Sequence, residues 1–560
     1  MDQYRDLNKD TRKRRTNRRR KRKNNARIIF AIGIALVILL GIGAALTVIL
    51  KKNGNKPTTP EVIKTTDPEE ATTDTSPERE DPGEYADLLK EAERYASMYD
   101  YEKAVDTVKK QVPEYEKSQV LKEFVASCNA KRSQLILWNN GNNSNIPHVF
   151  FHTLIVDEEK AWNCYKRDDY NQVMTTVDEF NEIIRQMYEN GFVLVHLSDI
   201  AAIEKRDDGT ESMTYQPIYL PSGKKPFVLS IDDTNYYEYM CNTGCATKLI
   251  VGEDGKILNE MATYKTRADG QLETDEYGAP IEESKEIGNF DVIPLLNAFV
   301  EEHPDFSYHG AKGTCALTGY NGILGYKTSD IAYGDGLPEW QKAYEYRCVN
   351  IEEEKKEARK VAEAIKATGW KFASHTWGHM DMGTVVDRST GAIVSERFTR
   401  DTEWWLQEVA PLIGGTDIII FAFGADIGTW RNYPGDGEAY TYLKEKGFDY
   451  YCNVDSSAHA WIQLSRDAGG DGYLRTGRRN LDGTYMYKAL VAMKGHEDAV
   501  KEAKEKGEDP EQVEKIKESA DISDLYDVTK VFSRKRPLPV PNVKVPEGMD
   551  PYSVFDLIKE

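Results

Sequence analysis

Hydrophobic positions along this chain fall into three patterns, each predicting a different kind of element. Residues 28–50 are 23 consecutive uncharged, mostly apolar residues, enough for a helix that crosses a bilayer, which takes ~20. Residues 83–140 place apolar side chains at helical spacing, and AERYASMYDYEKAVDTVKK reads as a helical hairpin of tetratricopeptide-like type. One such unit buries little core by itself, so it is predicted to pack as a stalk on the next domain. Between residues 146 and 495 short apolar runs such as KPFVLSI and KFAS alternate with amphipathic stretches such as EARKVAEAIKATGW. Buried strands alternating with helices predict an α/β fold, and the segment is long enough for one large barrel, at ~250 residues plus insertions.

Charge changes the picture at both ends. Residues 1–27 hold thirteen Lys or Arg against three Asp, a local charge of +10 in a chain whose net charge is −20. A block this basic suits nucleic acid, but an apolar span comes directly after it, so a cytoplasmic positive flank of a single-pass membrane protein is the reading adopted, with no nucleic-acid partner. A cleaved signal peptide is the rival, with an apolar region that is usually shorter. Residues 51–82, rich in Thr, Pro, Asp and Glu, read as a disordered linker. Residues 496–560 read as a charged helix and then a Pro-rich strap. Seven cysteines in 560 residues make no disulfide framework; Cys241 and Cys245 can pair or bind metal, and buried free thiols are the default. Nothing in the sequence sets the oligomeric state.

Candidate chemistry sits where apolar runs stop. KPFVLSI ends on two adjacent carboxylates, Asp232 and Asp233, and the carboxyl ends of strands in α/β folds are where active sites are built. The alternative is an Asx turn, with Asp233 and Asn235 capping the next stretch of backbone. Directly after KFAS comes His375-Thr376-Trp377-Gly378-His379, and imidazoles four apart on a helical turn share one face. Two imidazoles and a carboxylate form a three-ligand set that leaves metal positions open, as hydrolytic zinc sites do; an isolated H-x-x-x-H also occurs as a capping or surface pair. Two insertions are predicted on the rim: hairpins over 249–291, and a Gly- and Tyr-rich loop over 317–349, whose Tyr320, Tyr326, Tyr333 and Trp340 either stack on sugar rings or pack the loop.

The order strand-Asp-Asp, then much later S-H-T-x-x-H, resembles the polysaccharide deacetylase superfamily, the NodB homology domain of carbohydrate esterase family four. IPHVFFHTLIVD resembles its opening strand with a Tyr-His pair, TVDEFNEIIRQMYENGFVLVHLSDIAA the helix and strand after it, and WWLQEVAPLIGGTDIIIFAFGADIG the strand bearing its third motif. The likeness spans about residues 146–490. It implies a distorted (β/α)-barrel of NodB type, preceded here by the transmembrane helix and the all-α stalk. It implies one divalent metal, zinc or another transition metal, held by Asp233, His375 and His379, with Asp232 as general base. The substrate implied is an acetylated cell-wall or surface polysaccharide, cut by a membrane-anchored hydrolase outside the cell. Departures are Thr234 where Gly is usual, Ile231 in place of an aromatic residue, Phe421-Ala422-Phe423-Gly424 without the usual Pro, no evident base-orienting Arg upstream, and no L-x-H motif for the general acid. His459 and the Arg478-Arg479-Asn480 cluster lie in the matching part of the chain, and His459 is the candidate acid. The other function class is a catalytically degenerate relative that binds glycan or organises wall assembly.

The topology is testable by fusion: a reporter that works only outside the cytoplasm should be active when joined after Pro60, and activity there of a cytoplasm-only reporter overturns the orientation.

Overall fold

Seven short strands, β1 (His148–Phe151), β2 (Lys225–Ile231), β3 (Thr314–Leu317), β4 (Lys371–Ser374), β5 (Ile418–Ile420), β6 (Tyr450–Val454) and β7 (Tyr473–Asn480), each pair in parallel with the next, and β7 pairs with β1 to close a barrel. The computed structural model describes residues 83–276, 280–333, 350–454, 460–465, 471–513 and 522–559. Helices α1 (Ala86–Ser97), α2 (Tyr101–Gln111) and α3 (Gln119–Ser133) precede the barrel. Helices α4 (Val177–Glu189), α5 (Val292–Glu302), α6 (Ile351–Ala367), α7 (Arg397–Glu408) and α8 (Glu438–Glu445) lie in the successive connections from β1 to β6, and α9 (Gly483–Lys506) comes after β7. The α/β barrel expected from the pattern is therefore the observed architecture, with seven strands. The basic tail, apolar span and linker, over 1–82, lie outside the described residues; among those described no helix is long and apolar enough to cross a membrane.

Register decides what the barrel presents. Phe151 and Cys315 both lie opposite Ile231, and Leu317 lies opposite Ser374, so the residues just past these strands, His152, Asp232, Thr318 and His375, meet on one rim. Alternation on the strands separates two apolar clusters. Val149, Phe151, Leu229, Ile231, Cys315 and Leu317 join the cluster under α4 to α7. Val228, Ala316, Ala373, Ile418, Cys452 and Leu474 share a cluster with Leu89, Ala92, Val105 and Leu121 of α1 to α3. A polar rung interrupts that interior: the buried His148 ring bridges Thr476 Oγ1 at 3.0 Å and Ser230 Oγ at 3.0 Å.

The N-terminal helices number three, not a hairpin, since α3 starts at a second cap, Ser118, after the Asp100 cap of α2. They belong with the barrel to one compact unit. The insertion after β2 is a three-stranded antiparallel sheet, Lys248–Val251, Ile257–Tyr264 and Glu282–Gly288. On the next insertion Tyr326 and Tyr333 are buried, so neither offers a face to a sugar; Trp340 is outside the described residues.

No domain boundary falls at residue 495, because α9 crosses it unbroken. Its first half buries Met486, Tyr487, Leu490 and Val491 at helical spacing, while the second half turns charged and mostly exposed, which is why the sequence reads as a change of domain. The strap beyond it is core structure: Leu525, Val528, Phe532, Val540 and Val554 join the main apolar cluster. Its anchor is Arg536, fully buried, which donates from Nε to Glu179 Oε1 at 2.7 Å, from Nη2 to Glu179 Oε2 at 2.6 Å and Met174 O at 2.7 Å, and from Nη1 to Asn171 O and Oδ1, both at 3.1 Å. All five guanidinium hydrogens are thereby used. Glu179 also closes the capping box of α4 with Thr176. Gly483 lets the guanidinium pass, since a Cβ there would collide with Arg536 Nη1 and with the Asn171 carbonyl.

Replacing Arg536 by Met should lower unfolding stability by about 3–5 kcal/mol, the cost of stranding a buried carboxylate, read from urea denaturation of the full-length chain. A loss under about 1 kcal/mol, typical of a surface ion pair, would show that the strap is not anchored there.

Candidate functional site

Alternation on β2 carries Val228, Ser230 and Asp232 to the barrel interior, and Asp232 is met there by Arg478 from the end of β7. The guanidinium grips the carboxylate at two points, Nη1 to Oδ1 at 2.6 Å and Nη2 to Oδ2 at 2.8 Å, and reaches Ser230 Oγ at 3.2 Å. It also lies 4.1 Å over the Phe150 ring. Burial alone would raise the Asp232 carboxyl, but the charge of Arg478, with His375 next, holds it well below the usual carboxylate range. No arginine upstream makes this contact among the described residues; the one that does comes from the last barrel strand.

Asp233, by the same alternation, would point away from Asp232. Its backbone is instead in the left-handed region, φ +57°, which turns the carboxylate back toward the rim. There its Oδ2 lies 3.6 Å from His379 Nε2 and its Oδ1 4.0 Å from His375 Nε2. Burial opposes its charge, and His379, His375 and His152, together with the Tyr237 hydroxyl, still hold the Asp233 carboxyl low.

The two histidines do not sit on a helical turn. Residues 375–380 form an irregular loop, with Thr376 and His379 at φ +64° and +51°, so the spacing of four arises from a folded-back turn that Gly378 and its neighbours favour over helix. Thr376 Oγ1 accepts from Met380 N at 2.6 Å, and the Asp401 carboxylate on α7 accepts from Trp377 N at 2.7 Å and Gly378 N at 2.8 Å. The Trp377 indole donates to Glu408 at 2.7 Å. Held this way, the two imidazoles lie 5.0 Å apart between ring centres. His375 donates from Nδ1 to Ile420 O at 2.7 Å, which leaves Nε2 with its lone pair toward Asp233.

One carboxylate and two imidazoles, each offering a ligand atom within 4.8 Å of the others, fit a divalent ion of borderline hardness. Asp232 stands outside that set. The set opens into a cavity of about 330 Å³ lined also by His152, Tyr237, Tyr239 and Phe423. Phe423 lies edge-on to His379 at 4.4 Å with φ +58°; a bulky residue in that region is strained.

The site therefore gathers Asp232, Asp233, His375 and His379, while His459 lies outside the described residues. Sequence reading missed His152. It ends the inward row of β1, lines the cavity, and spends Nδ1 on Val173 O at 2.9 Å, which leaves Nε2 available. Its sequence signal was the alternation of His148, Phe150 and His152 into a strand end. Asp426, in the stretch likened to a third motif, has a structural role: it is buried against Arg475 at 2.6 Å, Asn453 at 2.7 Å and Tyr433 at 2.7 Å.

No protein-family model matches the chain, and no curated protein matches it. Among solved structures, Streptococcus pyogenes deacetylase PplD in complex with acetate is similar to it, at 12% identity over 61% of this chain and 94% of that one, with a TM-score of 0.28.

Replacing Arg478 by Leu should cost about 3–5 kcal/mol at pH 7. The native pair depresses the Asp232 pKa, so its contribution is full above the ordinary aspartate value of ~3.9 and is lost as pH falls toward the folded value. The stability gap between parent and variant in urea should accordingly shrink from pH 5 downward, and a gap independent of pH would exclude this pairing as its source.

Proposed function

We propose that this chain is a metal-dependent deacetylase of an N- or O-acetylated cell-wall or surface glycan, anchored in the membrane by residues 28–50 with its barrel outside. The observation that carries the reading is the division of labour between neighbouring carboxylates: Asp232 is clamped by Arg478, while Asp233 is turned toward His375 and His379.

A divalent ion bound by Asp233, His375 and His379 would supply Lewis-acid polarisation of the acetyl carbonyl and acidify a water toward neutrality. The chain supplies the rest. Asp232, ionised because Arg478 sits on it, accepts a proton from the attacking water, and the two-point grip keeps its carboxylate plane fixed as it does so. Its Oδ2 lies 3.9 Å from His375 Nε2, so base and ligand set address the same end of the cavity. His152, tethered through Nδ1, keeps Nε2 for donating a proton to the departing amine or alcohol. Sinking the site at the end of a closed barrel limits water around these charges and strengthens their interactions.

The full-length chain should release acetate from acetylated wall glycan, and a chelator should stop it. Asp232→Asn should keep the metal and lose ~10²- to 10⁴-fold in turnover; loss of metal in that variant would place Asp232 in the coordination shell. Unchanged metal content in Asp233→Ala, His375→Ala and His379→Ala removes the ligand set. Absence of acetate release from any acetylated glycan, with glycan binding retained, would favour the degenerate binding protein.

A further inference from the structure

The Asp233 carboxylate has two oxygens, and the neighbouring side chains treat them differently. Tyr237 donates its hydroxyl hydrogen to Oδ1 at 2.5 Å, the oxygen that also lies 4.0 Å from His375 Nε2, while Oδ2 makes the closer imidazole approach, 3.6 Å from His379 Nε2. We infer that Tyr237 is the positioning residue that fixes which oxygen of Asp233 meets the metal, an inference that rests on the reading of Asp233, His375 and His379 as ligands.

Three constraints make Tyr237 a fixed donor. Its ring is buried and stacked between Tyr239 and Tyr320, both at 5.2 Å with interplanar angles of 14° and 17°. Its hydroxyl also meets Thr318 Oγ1 at 2.8 Å; an ionised carboxylate only accepts, so the single phenolic hydrogen goes to Asp233 and the Thr318 hydroxyl donates to the phenol. Thr318, just past β3, is itself pinned by Asn235, which donates from Nδ2 to Thr318 O at 2.8 Å and accepts from Thr318 N at 3.1 Å. A directed chain thus runs from Thr318 through Tyr237 to Asp233, each donor polarising the next. Asp233 needs such support because its left-handed backbone gives the side chain no strand geometry to hold it. Engaged at Oδ1, the carboxylate presents Oδ2, and swinging to a symmetric two-oxygen grip would break the Tyr237 bond.

The test is metal affinity. The full-length chain, stripped by chelator, is titrated with Zn²⁺ against a chromophoric competitor, and loaded separately with Co²⁺ for its visible spectrum. Tyr237→Phe keeps the stacked ring and removes only the hydroxyl. It should weaken Zn²⁺ binding about 10- to 100-fold, as loss of a partner that orients a ligand does, and change the Co²⁺ spectrum, with unfolding of the metal-free protein near that of the parent. Thr318→Val, which removes the donor behind the phenol, should weaken Zn²⁺ in the same direction by less. A parent-like Zn²⁺ affinity in Tyr237→Phe, or an affinity loss matched by equal loss of metal-free stability, overturns the inference alone. A parent chain that takes up neither Zn²⁺ nor Co²⁺ overturns the ligand reading and this inference with it.

Discussion

Arg478 and Asp232 face each other across the end of β1, both removed from water, and each makes the other's burial tolerable. Ionised groups of this size are expensive to desolvate, and attraction at low dielectric offsets the cost only when the geometry is good and the leftover hydrogens find acceptors. Here two parallel bonds and the Ser230 hydroxyl take three of the guanidinium hydrogens and the Phe150 ring faces the cation, while the buried Nε is left without a hydrogen-bond partner. The pair joins β7 to β2 over the intervening β1, so the charge that orients the candidate base also ties the last barrel strand to the second. Below it the His148 rung, with Ser230 and Thr476, continues the polar core toward the middle of the barrel.

Around this rigid centre the segments bearing the candidate ligands are irregular. Asp233, Thr376, His379 and Phe423 all hold left-handed backbone, where bulky side chains crowd the chain. Specific partners hold two of these segments: Tyr237 at Asp233, Asp401 and Glu408 beneath the histidine loop. Short strands ending at a common level and loops locked from behind give a site whose parts come from different strand ends yet stand within a few ångströms of each other.

How much of this was legible in the sequence depends on how local each signal is. The barrel class was legible because short apolar runs and helical stretches alternate over a long span, and the Asp pair and the His pair because each lies just past such a run. Arg478 was not: it lies 246 positions from its partner Asp232, and only barrel closure brings them together. The helical turn expected at His375 and His379 is absent because spacing of four is shared by helices and tight loops, and Gly378 within an apolar-poor stretch is the cue that favours the loop. The break expected at 495 reflects a real change in amphipathicity that happens inside one helix, α9. His152 was visible in the alternation of β1 and lay inside the stretch likened to the strand with a Tyr-His pair, but Phe151 stands where the Tyr would be and nothing local tied it to the distant Asp and His pairs. Tyr237 carries no sequence cue, since its bonds to Asp233 and Thr318 arise only in the fold.

The Arg536 anchor also sets an order in time. The carboxylate it neutralises, Glu179, belongs to α4 near the start of the barrel, 357 positions earlier. Until the chain has been made through Arg536, α4 carries a capping carboxylate with no cation beside it, and the apolar surface that Leu525 to Val554 will cover stands open to solvent. A chain growing from its amino end can pair all seven barrel strands once β7 is made, but the apolar face under the strap stays uncovered until the strap follows. Apolar surface left open over that interval is of the kind that aggregates or is held by chaperones.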